Sequence, residues 1–236
     1  MMDLWCLPYA GASASFYRKW AHSLGGDIHV RPLELPGRGA RFGEPVHRSI
    51  DPLLDYAYEQ IRGATDFALF GHSLGAEIAF RLALRLEAEA NVQPRALIVS
   101  GLLPPSEPRS HRIDHRLPDD ELVQELERLG GMAPEVMNHP ELLQYMLPII
   151  RADLEAVNGA AQVGLQADIT KVRCDMTVLY GRKDPLTVGN LERWKEYAQG
   201  AFALREFEGG HFFIHDEQAA VAQAILSTLS TSDNAI

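Results

Sequence analysis

The chain has 236 residues, enough for one large domain or two small ones, and it can bury roughly 70–75% of its extended surface without a disulfide or metal. A hydrophobic share of 46% with 23% charged residues is that of an ordinary globular protein and excludes a disordered, collagenous or fibrous chain. The net charge of −10 repels phosphate backbones and anionic lipid, so nucleic acid and membrane surfaces are poor partners.

The N-terminus has no basic stretch followed by a long apolar one, and no segment approaches the roughly 20 apolar residues of a membrane span. The expectation is a soluble, cytoplasmic protein. Leu4–Leu7 and Ile28–Leu33 predict strands, Ser49–Arg62 a helix, Phe67–Phe70 a strand and Gly75–Ala88 a helix. Ala96–Ser100 is the fourth strand. Met176–Tyr180 and Phe202–Phe207 continue the strands, interleaved with helical Gly189–Ala198 and Glu217–Leu229; the polar Ser230–Ile236 is expected to fray. Such alternation predicts an α/β protein with a mostly parallel sheet. Cys6 and Cys174 lie in or beside strand segments and read as buried free thiols in a reducing compartment.

Residues 105–169 break the alternation. Asp119–Leu129 carries Leu122, Val123, Leu126 and Leu129 on one helical face, ended by Gly130-Gly131. Glu141–Ile150 repeats the stripe, with a kink expected at Pro148. The expectation is one domain over 1–236 with a helical lid insertion at 105–169, opening at Gly130-Gly131 and Pro148. Met132, Met137 and Met146 fall in it, where thioethers either adapt to varied apolar ligands or fill the joint with the core.

The strongest local signal is Gly71-His72-Ser73-Leu74-Gly75, after an apolar strand and before a helix. A serine on such a turn thrusts its hydroxyl above the sheet, the glycines leave room for strained backbone, and the helix N-terminus favours developing negative charge. Ser73 is the candidate nucleophile. It needs a base oriented by an acid, in the chain order Ser, Asp or Glu, His. Of nine histidines, His22, His29 and His47 precede the serine, His72 should point away from it, and His111, His115 and His139 fall in the insertion. His211, after the last strand through Glu208-Gly209-Gly210, is the candidate base; His215 reads as a helix cap or surface residue. Asp184, in the turn Gly181–Pro185 after a strand, is the candidate acid, with Asp168 and Asp175 as weaker rivals that follow no strand. An oxyanion hole needs two backbone N–H groups. Leu74 supplies one, and the loop Leu7–Ala12 the other, from Ala10 or the neighbouring Tyr9.

These residues, with Cys6–Gly11, Leu35-Pro36-Gly37-Arg38-Gly39, Arg41, Glu44-Pro45, Leu117–Asp120, Leu129–Met132 and Gly209-Gly210-His211, give a sequence that resembles the type II thioesterases. These are the stand-alone α/β-hydrolase enzymes that accompany polyketide and nonribosomal peptide synthetases. The resemblance spans nearly the whole chain. It implies hydrolysis of acyl thioesters on the phosphopantetheine arm of acyl or peptidyl carrier domains, which clears stalled or misprimed groups in antibiotic or siderophore synthesis. It implies the same triad, Ser73, Asp184 and His211, with Leu74 and Ala10 as oxyanion donors. A thiolate leaves more readily than an amine or alkoxide, so the chemistry asks mainly for an activated serine and a stabilised oxyanion. No metal or other cofactor is expected. The rival readings are an acyl-CoA thioesterase or small-ester carboxylesterase, and a catalytically silent binding protein of the same fold.

Charge leaves carrier docking to an apolar or a local basic patch. Arg109, Arg112 and Arg116, with His111 and His115, form one basic cluster for the pantetheine phosphate unless they are simply solvated. Arg38 and Arg41 read as turn-stabilising residues. A monomer is the default.

Overall fold

The computed structural model describes residues 1–132, 136, 139–162 and 170–232. The apolar segments pair as six strands: β1 (Met2–Leu7), β2 (Ile28–Pro32), β3 (Phe67–His72), β4 (Ala96–Ser100), β5 (Asp175–Gly181) and β6 (Phe202–Phe207). They lie in the order β2-β1-β3-β4-β5-β6, and every pairing is parallel. All six were predicted, with ends shifted by at most two residues. Central strands β3 and β4 are buried throughout, which is why they read as continuous apolar runs rather than alternating ones.

The period of two still sorts their side chains. Leu69, Leu97 and Val99 join the core with α3 (Ile50–Ile61) and α4 (Leu74–Arg85). Ala68, Phe70, Ala96 and Ile98 face the opposite layer, which holds Tyr17 and Trp20 of the short helices α1 (Ser15–Arg18) and α2 (Trp20–Leu24). Those two helices are too short for periodicity to reveal. Cys6 and Cys174 are buried and form no disulfide, and burial raises both thiol pKa values.

Within the excursion, α5 (Asp119–Arg128) falls where the apolar stripe predicts it. The next helix differs: α6 (Pro140–Gln162) runs through Pro148 and 12 residues beyond the expected end. Pro148 lies on the exposed face, and so does Gln144, whose freed carbonyl water can satisfy. Buried Asp153, interrupting the apolar stripe, hid the continuation. Leu122 and Leu126 of α5 meet Met132 and Leu147, Ile150 and Leu154 of α6 in a third apolar cluster, while Ala156 and Ala160 belong to the main core. Met137 lies outside the described residues, as do 163–169, including the weaker acid candidate Asp168. The expected helix at 189–198 is a 3₁₀ segment, Leu191–Tyr197. Two helices follow β6 among the described residues, α7 (Phe213–Asp216) and α8 (Gln218–Ser232). No helix among the described residues is long and apolar enough to cross a membrane.

This strand order sets the position of the site. β1 pairs with β2 on one side and β3 on the other, so the direction of winding reverses between β1 and β3. In open α/β sheets the crevice beyond the carboxyl ends at such a point receives the ligand. The loops that leave β1 and β3 there are Pro8–Ala12 and the turn at Ser73.

Candidate active site

Ser73 has φ 55° and ψ −115°, one of two non-glycine residues with positive φ among those described. A side chain there is strained, and such strain concentrates at functional positions. The two motif glycines are required sterically. A Cβ on Gly71 would lie 2.1 Å from the Gly75 carbonyl oxygen, and one on Gly75 would lie 2.1 Å from that of Leu7. Their absence lets α4 start immediately behind the serine and press against the end of β1. The Ser73 N–H is spent on the Ser100 carbonyl at 2.8 Å, tying the turn to β4.

His211 and Asp184 meet although 27 residues separate them. Nδ1 of His211 lies 2.8 Å from Oδ2 of Asp184, and both residues are buried. The other oxygen, Oδ1, accepts the Leu186 N–H at 2.8 Å, which fixes the carboxylate. That arrangement assigns the Nδ1 proton to the bond with Asp184 and leaves Nε2 of the neutral ring as an acceptor. Ser73 and His211 line one narrow cavity of about 70 Å³, with Ala10, Leu102, Leu126 and Leu154 among its walls. Asp175, the rival acid, instead accepts the Ala201 N–H at the far end of β5.

The loop after β1 forms a tight turn. Ala12 N–H donates to the Tyr9 carbonyl at 3.0 Å, and Gly11 takes φ +78° while Ala10 keeps negative φ. This is the type II pattern, which leaves the N–H groups of its two central residues outside the turn's own bond. The Gly11 N–H goes to Asp153; that of Ala10, like that of Leu74 at the head of α4, has no acceptor among the described residues.

One side chain behaves differently from the sequence reading. His215 is neither cap nor surface residue. It sits among Phe16, Phe212 and Tyr9, with Nε2 3.0 Å from the Tyr9 hydroxyl. Burial lowers the His215 pKa and pushes the Tyr9 phenol up to about 12, so the hydroxyl donates and the imidazole accepts. His72 is wholly buried, with Nδ1 2.9 Å from Ser100 Oγ and its ring 4.9 Å from that of His211. Burial, then the nearby His211 and His215, hold it well below the usual histidine value, so it stays neutral. Gly101 makes room for both rings, since a Cβ there would lie 2.6 Å from His72 Cε1 and 3.2 Å from His211 Cε1.

The basic cluster is divided. Arg109 pairs with the buried Glu77 at 2.6 Å and Arg116 with Asp114 at 2.9 Å. Burial raises the Glu77 pKa, but Arg109 and Arg81 outweigh it and hold the carboxyl below its usual range. Arg41 pairs with Glu44 and closes the turn through its carbonyl, as expected. Arg38 reaches farther, to Asp153.

Beside the narrow cavity lies a wider one of about 940 Å³, sharing Tyr9, Ala10, Leu126 and Phe212 with it. Met132 and Met146 line the wider space, and the exposed rings of Phe42 and Tyr145 face each other at 5.2 Å in its wall.

A parallel sheet with a strained serine after β3, and a buried histidine–aspartate pair supplied by the loops after β6 and β5, defines the α/β-hydrolase class. The chain belongs to the thioesterase family: the family's thioesterase-domain model matches residues 2–231. It is 38% identical over 227 residues to a probable cadicidin biosynthesis thioesterase of Streptomyces griseus, a match covering 95% of this chain and 61% of that protein. Among solved structures it is similar to ClbQ of the colibactin pathway, at 31% identity and a TM-score of 0.89, covering 98% of both chains. It is likewise similar to the type II thioesterase BorB of the borrelidin cluster, at 37% identity and a TM-score of 0.84, covering 96% of this chain and 92% of that one. The resemblance to type II thioesterases drawn from the sequence therefore holds across nearly the whole chain.

Proposed function

We propose that this protein hydrolyses acyl thioesters carried on the phosphopantetheine arm of acyl or peptidyl carrier domains, with Ser73 as nucleophile. The observation that carries the reading is the buried His211–Asp184 pair opening on the same narrow cavity as the strained Ser73. His211 Nε2 takes the serine proton as Oγ attacks the thioester carbonyl. Asp184 holds the ring in the tautomer this needs and stabilises the imidazolium. The N–H groups of Leu74 and Ala10 receive the oxyanion, helped by the N-terminus of α4. Collapse expels the pantetheine sulfur, which takes the proton from His211 and leaves as the thiol; the neutral His211 then takes a proton from the water that attacks the acyl-serine and returns it to Ser73 as the acid is released.

The wider cavity admits the pantetheine arm and the narrow one holds the acyl end. At about 70 Å³ the latter has room for about two water-sized groups at about 30 Å³ each, so a very short acyl chain fits without rearrangement and a long one displaces the roof. The described residues between 105 and 162 form that roof, and α5 with the first half of α6 is its moving part. The relatives named in synthetase pathways support the carrier-bound substrate over free acyl-CoA or a small ester. The test compares turnover of one acyl group on a carrier domain, on coenzyme A and on a simple alcohol. A higher kcat/KM for the carrier thioester is expected; equal or higher turnover of the other two overturns the substrate assignment.

A further inference from the structure

Asp153 is a wholly buried carboxylate on α6, 142 positions from the loop it serves. Its Oδ2 accepts the Gly11 N–H at 2.8 Å. Arg38, from the loop after β2 and 2% exposed, grips the same carboxylate with both terminal nitrogens, Nη1 on Oδ2 at 2.5 Å and Nη2 on Oδ1 at 2.8 Å. A fork of this kind fixes a carboxylate in orientation as well as position. The loop has no slack on this side either. A Cβ on Gly11 would come within 2.5 Å of Ile150 Cγ1, one helical turn before Asp153.

Burying an ion pair is costly, and for stability alone an apolar pair of similar volume does as well or better. What this pair does that an apolar one cannot is hold a backbone N–H. In the Tyr9–Ala12 turn, anchoring the Gly11 N–H fixes the central peptide plane and thereby the direction of the preceding N–H, that of Ala10.

We propose that Asp153, oriented by Arg38, is the positioning residue of the oxyanion loop, so that the roof helix α6 itself sets the geometry of the Ala10 N–H. The proposal rests on the reading in which Ala10 is an oxyanion donor. Asp153 touches no reacting atom; its effect is confined to states in which the oxyanion exists.

The test uses the full-length double variant Arg38→Met/Asp153→Leu, which leaves no orphaned charge, beside Arg38→Gln/Asp153→Ala, a second uncharged pair that likewise removes the acceptor of the Gly11 N–H. Each is measured for melting temperature, for kcat and KM on an acyl-pantetheine thioester, and for affinity towards two inhibitors. One is an acyl-pantetheine trifluoromethyl ketone, whose adduct with Ser73 places an alkoxide in the hole. The other is the matching thioether, which mimics only bound substrate. Removing a whole oxyanion donor costs about 10²–10³ in kcat, so a misaimed one is expected to cost about tenfold to a hundredfold. The ketone affinity should fall by the same factor while KM and thioether affinity stay within about twofold. A folded variant that keeps wild-type kcat and ketone affinity overturns the proposal; if Arg38→Met/Asp153→Leu does not fold, Arg38→Gln/Asp153→Ala decides by the same readouts. If the wild type itself binds the ketone no more tightly than the thioether, the oxyanion reading fails first and the proposal falls with it.

Discussion

Asp184→Asn tests the histidine–acid pair more sharply than deletion does. The wild-type carboxylate accepts twice, from Leu186 N–H on Oδ1 and from His211 on Oδ2, each at 2.8 Å. An asparagine offers one acceptor and one donor. Keeping the Leu186 bond turns its amide NH₂ towards His211 Nδ1, which must then be unprotonated. The neutral ring carries its proton on Nε2 instead, the nitrogen that has to accept from Ser73. A base locked in the wrong tautomer costs about 10⁴ in kcat in serine proteases, or about 5.4 kcal/mol of transition-state stabilisation. The same loss is expected here, with KM on the acyl thioester little changed and the melting temperature within a few degrees. Asp184→Ala leaves the tautomer free and should retain more activity than the asparagine variant, although it removes more of the side chain. Steady-state hydrolysis with free-thiol detection reads both. An asparagine variant within about tenfold of wild type, or one more active than the alanine variant, refutes the tautomer argument.

Met132→Trp or Met146→Trp narrows the wider cavity, where the pantetheine arm is placed, and should depress turnover of acyl-carrier thioesters of every acyl length while sparing an activated acetyl ester that lacks the arm. Equal loss on that ester would show that these methionines only pack. Hydrogen exchange should find α5 and the first half of α6 opening more readily than β3, because their apolar stripes pack in a cluster outside the main core; protection of 119–128 equal to that of 67–70 would exclude a moving roof. His72 contributes to acid sensitivity. Its pKa is depressed in the folded state, so below about 6.5 the unfolded chain binds a proton that the native one refuses. The stability it contributes is present above that value and is lost as pH falls. His72→Gln should therefore flatten the decline of melting temperature between about pH 7 and 5, and an unchanged slope would show that His72 is not the group responsible.

Much of the site is legible along the chain because its demands are local. The pattern of Gly71, Ser73 and Gly75 reflects contacts within one turn and with the adjacent strand end, where even one methyl group does not fit. The centre of the sheet is legible for a similar reason, since β3 and β4, buried on both faces, leave little choice of residue. The arginines were harder. Arg109 looks like part of a surface run until Glu77, 32 positions away, is seen to take its charge. Asp153 looks like the end of an apolar stripe, and only the fold brings Arg38 and Gly11 to it. The sequence does not reveal the setting of His215 because its partner, Tyr9, is 206 positions distant. Charges and polar rings are assigned by long-range partners, and a linear pattern does not contain them.

The central claim is that Ser73 carries the acyl group between thiol departure and hydrolysis. Rapid-quench mass spectrometry of the enzyme mixed with an acyl carrier-domain thioester tests it most directly. The account predicts a transient mass increase equal to the acyl group on the peptide containing Ser73, absent in Ser73→Ala, which should fold normally and turn nothing over. An adduct on another residue, or a Ser73→Ala protein that still hydrolyses the thioester, would contradict it.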